Sequence, residues 1–163
     1  MSDAVTLSFT RVEAVHLRGL VGQFVDLLSD EDAASDPAVA RLTPSAYPDD
    51  AASADQFHAA TRGDLLRRRS AEAGTVLADL ASAGELDPSD EHAFDEALAE
   101  MEISLEPRQV AAWMRTLNAV RLILAARLGI DDDHDHPADD ARFGVYEWLG
   151  YRLELLISAT DGP

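Results

Sequence analysis

The chain has 163 residues, with 31 acidic side chains against 13 basic ones and a formal net charge of −18. Every basic residue is arginine, and there is neither lysine nor cysteine. That charge opposes non-specific binding to nucleic acid, where affinity comes from cations that displace counterions from phosphates. The missing cysteine excludes disulfides, thiolate nucleophiles, Cys-based zinc sites and thiol redox sensing in this chain.

The length fits one domain over residues 1–163, and a hydrophobic fraction of 47% is that of a globular protein. Met1 is followed by Ser2-Asp3-Ala4-Val5, with no basic segment and no apolar core of a signal peptide. The densest apolar stretch, Leu117 to Ile130, is too short to span a bilayer and carries Arg121 and Arg127. A cytoplasmic protein without membrane contact is expected. The lysine-free, Ala- and Asp-rich composition points to a GC-rich bacterial genome or a halophile.

Val5-Thr6-Leu7-Ser8-Phe9 alternates apolar and polar residues, the period of a half-buried strand, and so does Met101-Glu102-Ile103-Ser104-Leu105. The two can pair into a small antiparallel ribbon, which is stable only when it packs on something else. From Arg11 to Leu28 the period becomes helical, with Val12, Val15, Leu20, Phe24 and Leu27/Leu28 as the apolar stripe. Gly19 and Gly22 weaken that helix, and their small size can admit a close neighbour.

An acidic loop follows at 30–36. Asp36-Pro37 has the chemistry of an N-cap and first turn and predicts a short helix through Leu42, then an irregular connector from Thr43 to Ala52. Ser53 to Ala60 reads as a short helix. Thr61 and Asp64 have capping-box spacing and predict a separate, longer helix to about Ala81, ended by Gly84. Ser89 opens another, with Phe94, Leu98 and Met101 at i, i+4 and i+7. The clearest helix runs from Pro107 to Leu128, with Gly129 as its stop. A second acidic loop occupies 131–140. A last helix, Arg142 to Ile157, buries Phe143, Tyr146, Leu149, Leu153 and Leu156. The expected fold class is mainly all-α: an irregular bundle of about five principal helices with, at most, one small two-stranded β-ribbon.

Three constellations carry candidate chemistry. Asp131, Asp133, His134 and His136 have the donor types of a metal site. Against a calcium loop starting at Asp131, however, His136 stands where glycine belongs and Arg142 where glutamate belongs, so a solvated loop is the plainer reading. Arg67, Arg68 and Arg69 form the one basic cluster, the candidate contact for nucleic acid. On a helix they point three ways, and acidic neighbours such as Asp64 and Glu72 can pair with them. Asn118, Arg121 and Arg127 lie among the apolar residues of the strongest helix, where burial requires partners. Asp49, Asp50, Glu147 and Glu154 can supply these. The plainer outcome is a register-fixing ion-pair network; the functional one is an anion or carboxylate pocket around Tyr47, Asn118, Arg121 and Glu147. Trp113, Trp148, Tyr146 and Tyr151 sit at core-compatible spacings, so core packing is the plainer reading and a binding groove lined by these aromatics the functional one. No nucleophile elbow, phosphate loop, dinucleotide fingerprint or zinc-protease helix is present, so no catalytic residue and no cofactor is assigned.

Three stretches read together carry a family resemblance: Asp36 to Tyr47 (DPAVARLTPSAY), Ala112 to Leu122 (AWMRTLNAVRL) and Val145 to Tyr151 (VYEWLGY). In matching order over nearly the whole chain, they resemble the DUF2017 family of actinobacterial proteins. The resemblance implies a high-GC Gram-positive source, gene neighbourhoods shared with the ClpS protease adaptor and, for some members, transcriptional regulation of oxidative-stress responses. Any such mechanism here must work without cysteine. The expectation is a non-enzymatic regulatory or protein-interaction domain, with a protein partner or a second copy as its target and direct nucleic-acid binding not expected. A small-molecule or metal-binding protein, or an enzyme with a site near Asn118 and Arg121, is the alternative.

Overall fold

In the structure, a computed structural model, residues 4–43, 51–130 and 140–162 are described, those of 51–60 as backbone only. Strand β1, Val5–Thr10, runs directly into helix α1, Arg11–Ser29. Thr10 makes the switch: its backbone is extended, its hydroxyl accepts from the Glu13 amide, and the Glu13 carboxylate accepts from the Thr10 amide at 2.8 Å. This is a full capping box, satisfying amide donors that a helix start otherwise leaves open. The short α2, Pro37–Ala40, begins at the Asp36 cap as the sequence predicts. Then come α3, Ala51–Leu80, the short α4, Ala93–Leu98, strand β2, Glu100–Leu105, α5, Pro107–Leu128, and α6, Gly144–Asp161.

The two strands form the expected antiparallel ribbon, with Val5 opposite Leu105, Leu7 opposite Ile103 and Phe9 opposite Met101. Leu7, Phe9, Ile103 and Leu105 are buried, while Thr6, Ser8, Glu102 and Ser104 are exposed. The alternation thus lays one apolar face on the helices, which is what a lone ribbon needs to persist. Helix α5 is central. It packs against α3 on one side and α6 on the other, while α1 packs on α3. Trp113 is fully buried on α5, with its ring 6.0 Å from that of Phe9. Its indole N–H donates to Asp79 of α3 at 2.8 Å, and Gln109 donates to the other oxygen of the same carboxylate at 2.8 Å. Gly129 ends α5 in the left-handed conformation, φ 72°, a backbone shape glycine adopts without strain.

Four details depart from the sequence reading. The separate helices at 53–60 and 61–81 are one 30-residue helix, α3, with Thr61 inside it. A capping pair marks a start only where the chain has come from elsewhere, and here the preceding residues are already helical. The helix expected from Ser89 to Met101 shrinks to α4, because Met101 is drawn into β2 opposite Phe9. Phe94 and Leu98 are left 75% and 50% exposed. On α1 the buried line is Ala14, Leu17, Val21, Phe24 and Leu28, which leaves Val12, Val15 and Leu20 at its margin. Gly19 and Gly22 face open space and admit no neighbour. Among the described residues no helix is long and apolar enough to cross a membrane.

Candidate functional site

Between α5 and α6 the surface is hollowed, with one residue of α3 contributing to the lining. The result is an open groove of about 760 Å³. From α5 come Met114, Arg115, Asn118 and Arg121, and from α3 comes Arg69. From α6 the groove takes Tyr146, Glu147, Gly150, Tyr151, Leu153, Glu154 and Ile157. Positions 114, 118 and 121 follow helical spacing, so one side of α5 serves the groove while its other sides fill the core.

Arg121 is held in a defined pose. Its guanidinium lies 4.1 Å over the Tyr146 ring, and its Nε donates to the Tyr146 carbonyl at 3.3 Å. Stacking of a guanidinium on an aromatic face is favourable in its own right. Gly150 makes room for it, since a β-carbon at 150 would stand 3.0 Å from Arg121 Nη2. Arg115 pairs with Glu72 of α3 at 2.7 Å while remaining 53% exposed. A smaller cleft beside the groove is lined by Leu65, Arg68, Arg69, Glu72 and Arg115, so Arg69 and Arg115 border both. The two together hold four guanidiniums against three carboxylates. The whole chain has the reverse balance, 13 basic against 31 acidic.

Of the residues singled out in the sequence, Asn118, Arg121 and Glu147 therefore line one groove. Asn118 is exposed, not buried, because α5 turns that side to the groove. Arg127 leaves the expected network altogether: it forms a two-pronged pair with Asp36, at 3.1 and 2.7 Å, tying the end of α5 to the start of α2. The Arg127 guanidinium holds the Asp36 carboxyl below its ordinary value. The basic cluster splits three ways. Arg67 pairs with Asp64, Arg68 faces the small cleft and Arg69 reaches both depressions. Tyr47, Asp131, Asp133, His134 and His136 lie outside the described residues, as do Asp49 and Asp50. Among the described residues no group of three or more His, Asp or Glu is placed to hold a metal ion.

Several participants were not singled out in the sequence. Arg115, Gly150 and Ile157 belong to the groove. The signal available was α6 itself, whose Val145, Tyr151, Leu155 and Ile157 fall off the buried stripe. Arg152 was also missed. It is nearly buried between β1 and α1, pairs with Glu13 at 2.9 Å and donates to the Ser8 carbonyl at 2.8 Å. Its guanidinium stacks 4.3 Å over Phe9, and Trp148 donates its indole N–H to the same Glu13 at 3.2 Å. This second cluster fixes α6, which forms one wall of the groove, to β1 and the start of α1.

The family model of a domain of unknown function, DUF2017, matches residues 1–160. No curated protein and no solved structure matches the chain.

Proposed function

Because the chain belongs to the DUF2017 family, whose description assigns no activity, we propose from its own surface that it is a non-enzymatic protein-interaction domain. In this reading a partner docks along the outer side of α6 and the groove beside it, and the domain acts as a regulator in the cytoplasm of an actinobacterium. The observation that carries the reading is the distribution of exposed large apolar residues. Four of the seven among the described residues, Val145, Tyr151, Leu155 and Ile157, lie on α6. That helix also buries Tyr146, Leu149 and Leu156 against the body of the protein. A helix that also shows large apolar side chains outside its buried stripe has more apolar surface than its own core uses, and a partner is the usual reason. Tyr151, which is 56% exposed, has the amphipathic character enriched at the energetic centres of interfaces.

Replacing Tyr151 and Leu155 together by Asp tests this. Both side chains point away from the core, so thermal stability should change by no more than about 0.5 kcal/mol per site. A protein that co-purifies stoichiometrically from host lysate with the unaltered chain should be lost with the variant. Capture that survives the double substitution would sink the proposal, as would an unaltered chain that recovers nothing. A small anionic ligand is the second reading, favoured by the groove's volume of about 760 Å³, which lies within the range of ligand sites. Exposed apolar residues outside the groove, Val145 and Leu155 above all, favour the larger partner.

A further inference from the structure

The thirteen arginines are the only permanent cations of this chain, and most are committed to its own fold. Arg11 and Arg18 donate to the carbonyls of Ala83, Gly84 and Glu85 beyond the end of α3. Arg67, Arg127, Arg142 and Arg152 pair with Asp64, Asp36, Asp140 and Glu13. Arg68, Arg69 and Arg108 differ: among the described residues they have no hydrogen bond or ion pair, and of the three it is Arg69 that stands where the groove and the small cleft meet. Arg115 beside it is half-exposed, and Arg121 is held over Tyr146 with Asn118 one turn away.

From this we infer that the groove takes an acidic–apolar peptide segment of a partner protein, whose carboxylates pair with Arg69 and Arg121 while its apolar side chains lie on Met114, Leu153 and Ile157. The inference rests on the docking reading above and adds the partner's chemistry to it. Guanidinium forks match carboxylates in a two-pronged geometry, and those of Arg69 and Arg121 reach the groove from different helices. Charge complementarity decides between occupants. A nucleic acid presents phosphates at every step and would meet Glu147 and Glu154 on the α6 wall, then a chain of net charge −18. A peptide can place a few carboxylates opposite the α3 and α5 edge and none opposite α6. Tyr146 to Ile157 is twelve residues of helix, about 16 Å from first to last at 1.5 Å per step, which is room for roughly three turns of a docked helix.

The test is peptide selection on the full chain. Random 16-residue peptides displayed on phage are panned against the unaltered protein, and enriched sequences are synthesised and titrated. The expected result is Asp or Glu interleaved with large apolar residues, with binding weakened about ten-fold or more by Arg69→Gln and by Ile157→Asp. Arg69→Gln breaks no hydrogen bond or ion pair among the described residues, so the outcome does not depend on a variant that unfolds. A peptide Glu→Arg change that restores binding to Arg69→Glu would confirm the pairing. Peptides weakened by Ile157→Asp but indifferent to Arg69→Gln would overturn the acidic selection and leave the docking reading standing. Peptides indifferent to both, or no enrichment at all, would overturn both. Binding of a DNA or RNA oligonucleotide lost in Arg69→Gln, or a dimer in light scattering that the same change dissociates, would assign the groove to a different occupant and overturn the inference.

Discussion

Glu13 serves two structures at once, capping α1 through the Thr10 amide and receiving Arg152 and Trp148 from α6. Burial pushes its carboxyl up, but the Thr10 amide, the Arg152 guanidinium and the Trp148 indole together outweigh that and leave it below its ordinary value of 4.5. A carboxylate depressed in the folded state contributes stability that is complete above its unfolded pKa and is lost as pH falls through the folded one. Urea denaturation at pH 7, 5, 4 and 3 should therefore show a steeper acid loss for the unaltered chain than for Glu13→Gln. Parallel curves would mean that the cluster contributes nothing through charge. At this scale the sequence was only half legible. Helical spacing put Asn118 and Arg121 on one side of α5, whereas Glu147 was one of four candidate partners and reaches the same groove only through the packing of α6 on α5. Nor could the sequence pair Arg152 with Glu13, since the contact spans 139 positions and depends on the packing angle of α6.

Elements are tied to one another by a small number of polar contacts set in apolar faces. Asp79 holds α3 to α5 through Trp113 and Gln109. Asp79→Ala would leave a fully buried indole N–H without its acceptor, and a cost of about 1–3 kcal/mol is expected in equilibrium denaturation. Asp79→Asn, which keeps an acceptor, should cost less. Gly129→Ala should lower stability by about 1 kcal/mol, because alanine is strained at φ 72°. A gain in melting temperature would show that the cap relaxes freely. The ends of α5 were readable because Pro107 and Gly129 act through their own backbone. Thr61 and Ser89 misled for the converse reason: their capping value depends on what the chain before and after them is doing. Met101 fits a helix by spacing and a strand by alternation, and only Phe9 across the ribbon decides between them.

For the whole molecule the dominant long-range force is self-repulsion. With a net charge of −18, the compact state crowds carboxylates that the unfolded chain spreads apart. Salt shortens the reach of that repulsion from about 30 Å at 0.01 M to about 3 Å at 1 M. Melting temperature should rise as sodium chloride is raised from 0.02 to 1 M in calorimetry. A fall would mean that the arginine pairs outweigh the excess negative charge. Composition made this legible at once, while the mainly helical class came from apolar periodicity along the chain. What composition hid was where the cations gather, because Arg69, Arg115 and Arg121 are scattered in sequence and meet only when α3 and α5 pack side by side.

The ribbon also imposes an order of events on the growing chain. Val5 finds Leu105 only after a hundred further residues have been made. At about 5–20 residues per second of synthesis, Leu7 and Phe9 wait roughly 5–20 s without their strand. Helices α1 and α3 can wind and meet within that interval, so β1 is made before every other described element and is among the last to close. Nascent chains halted on the ribosome with residue 105 still in the exit tunnel should leave β1 open to protease. Chains long enough to expose α5 should protect it, and equal cleavage at both lengths would mean that closure waits for α6 as well.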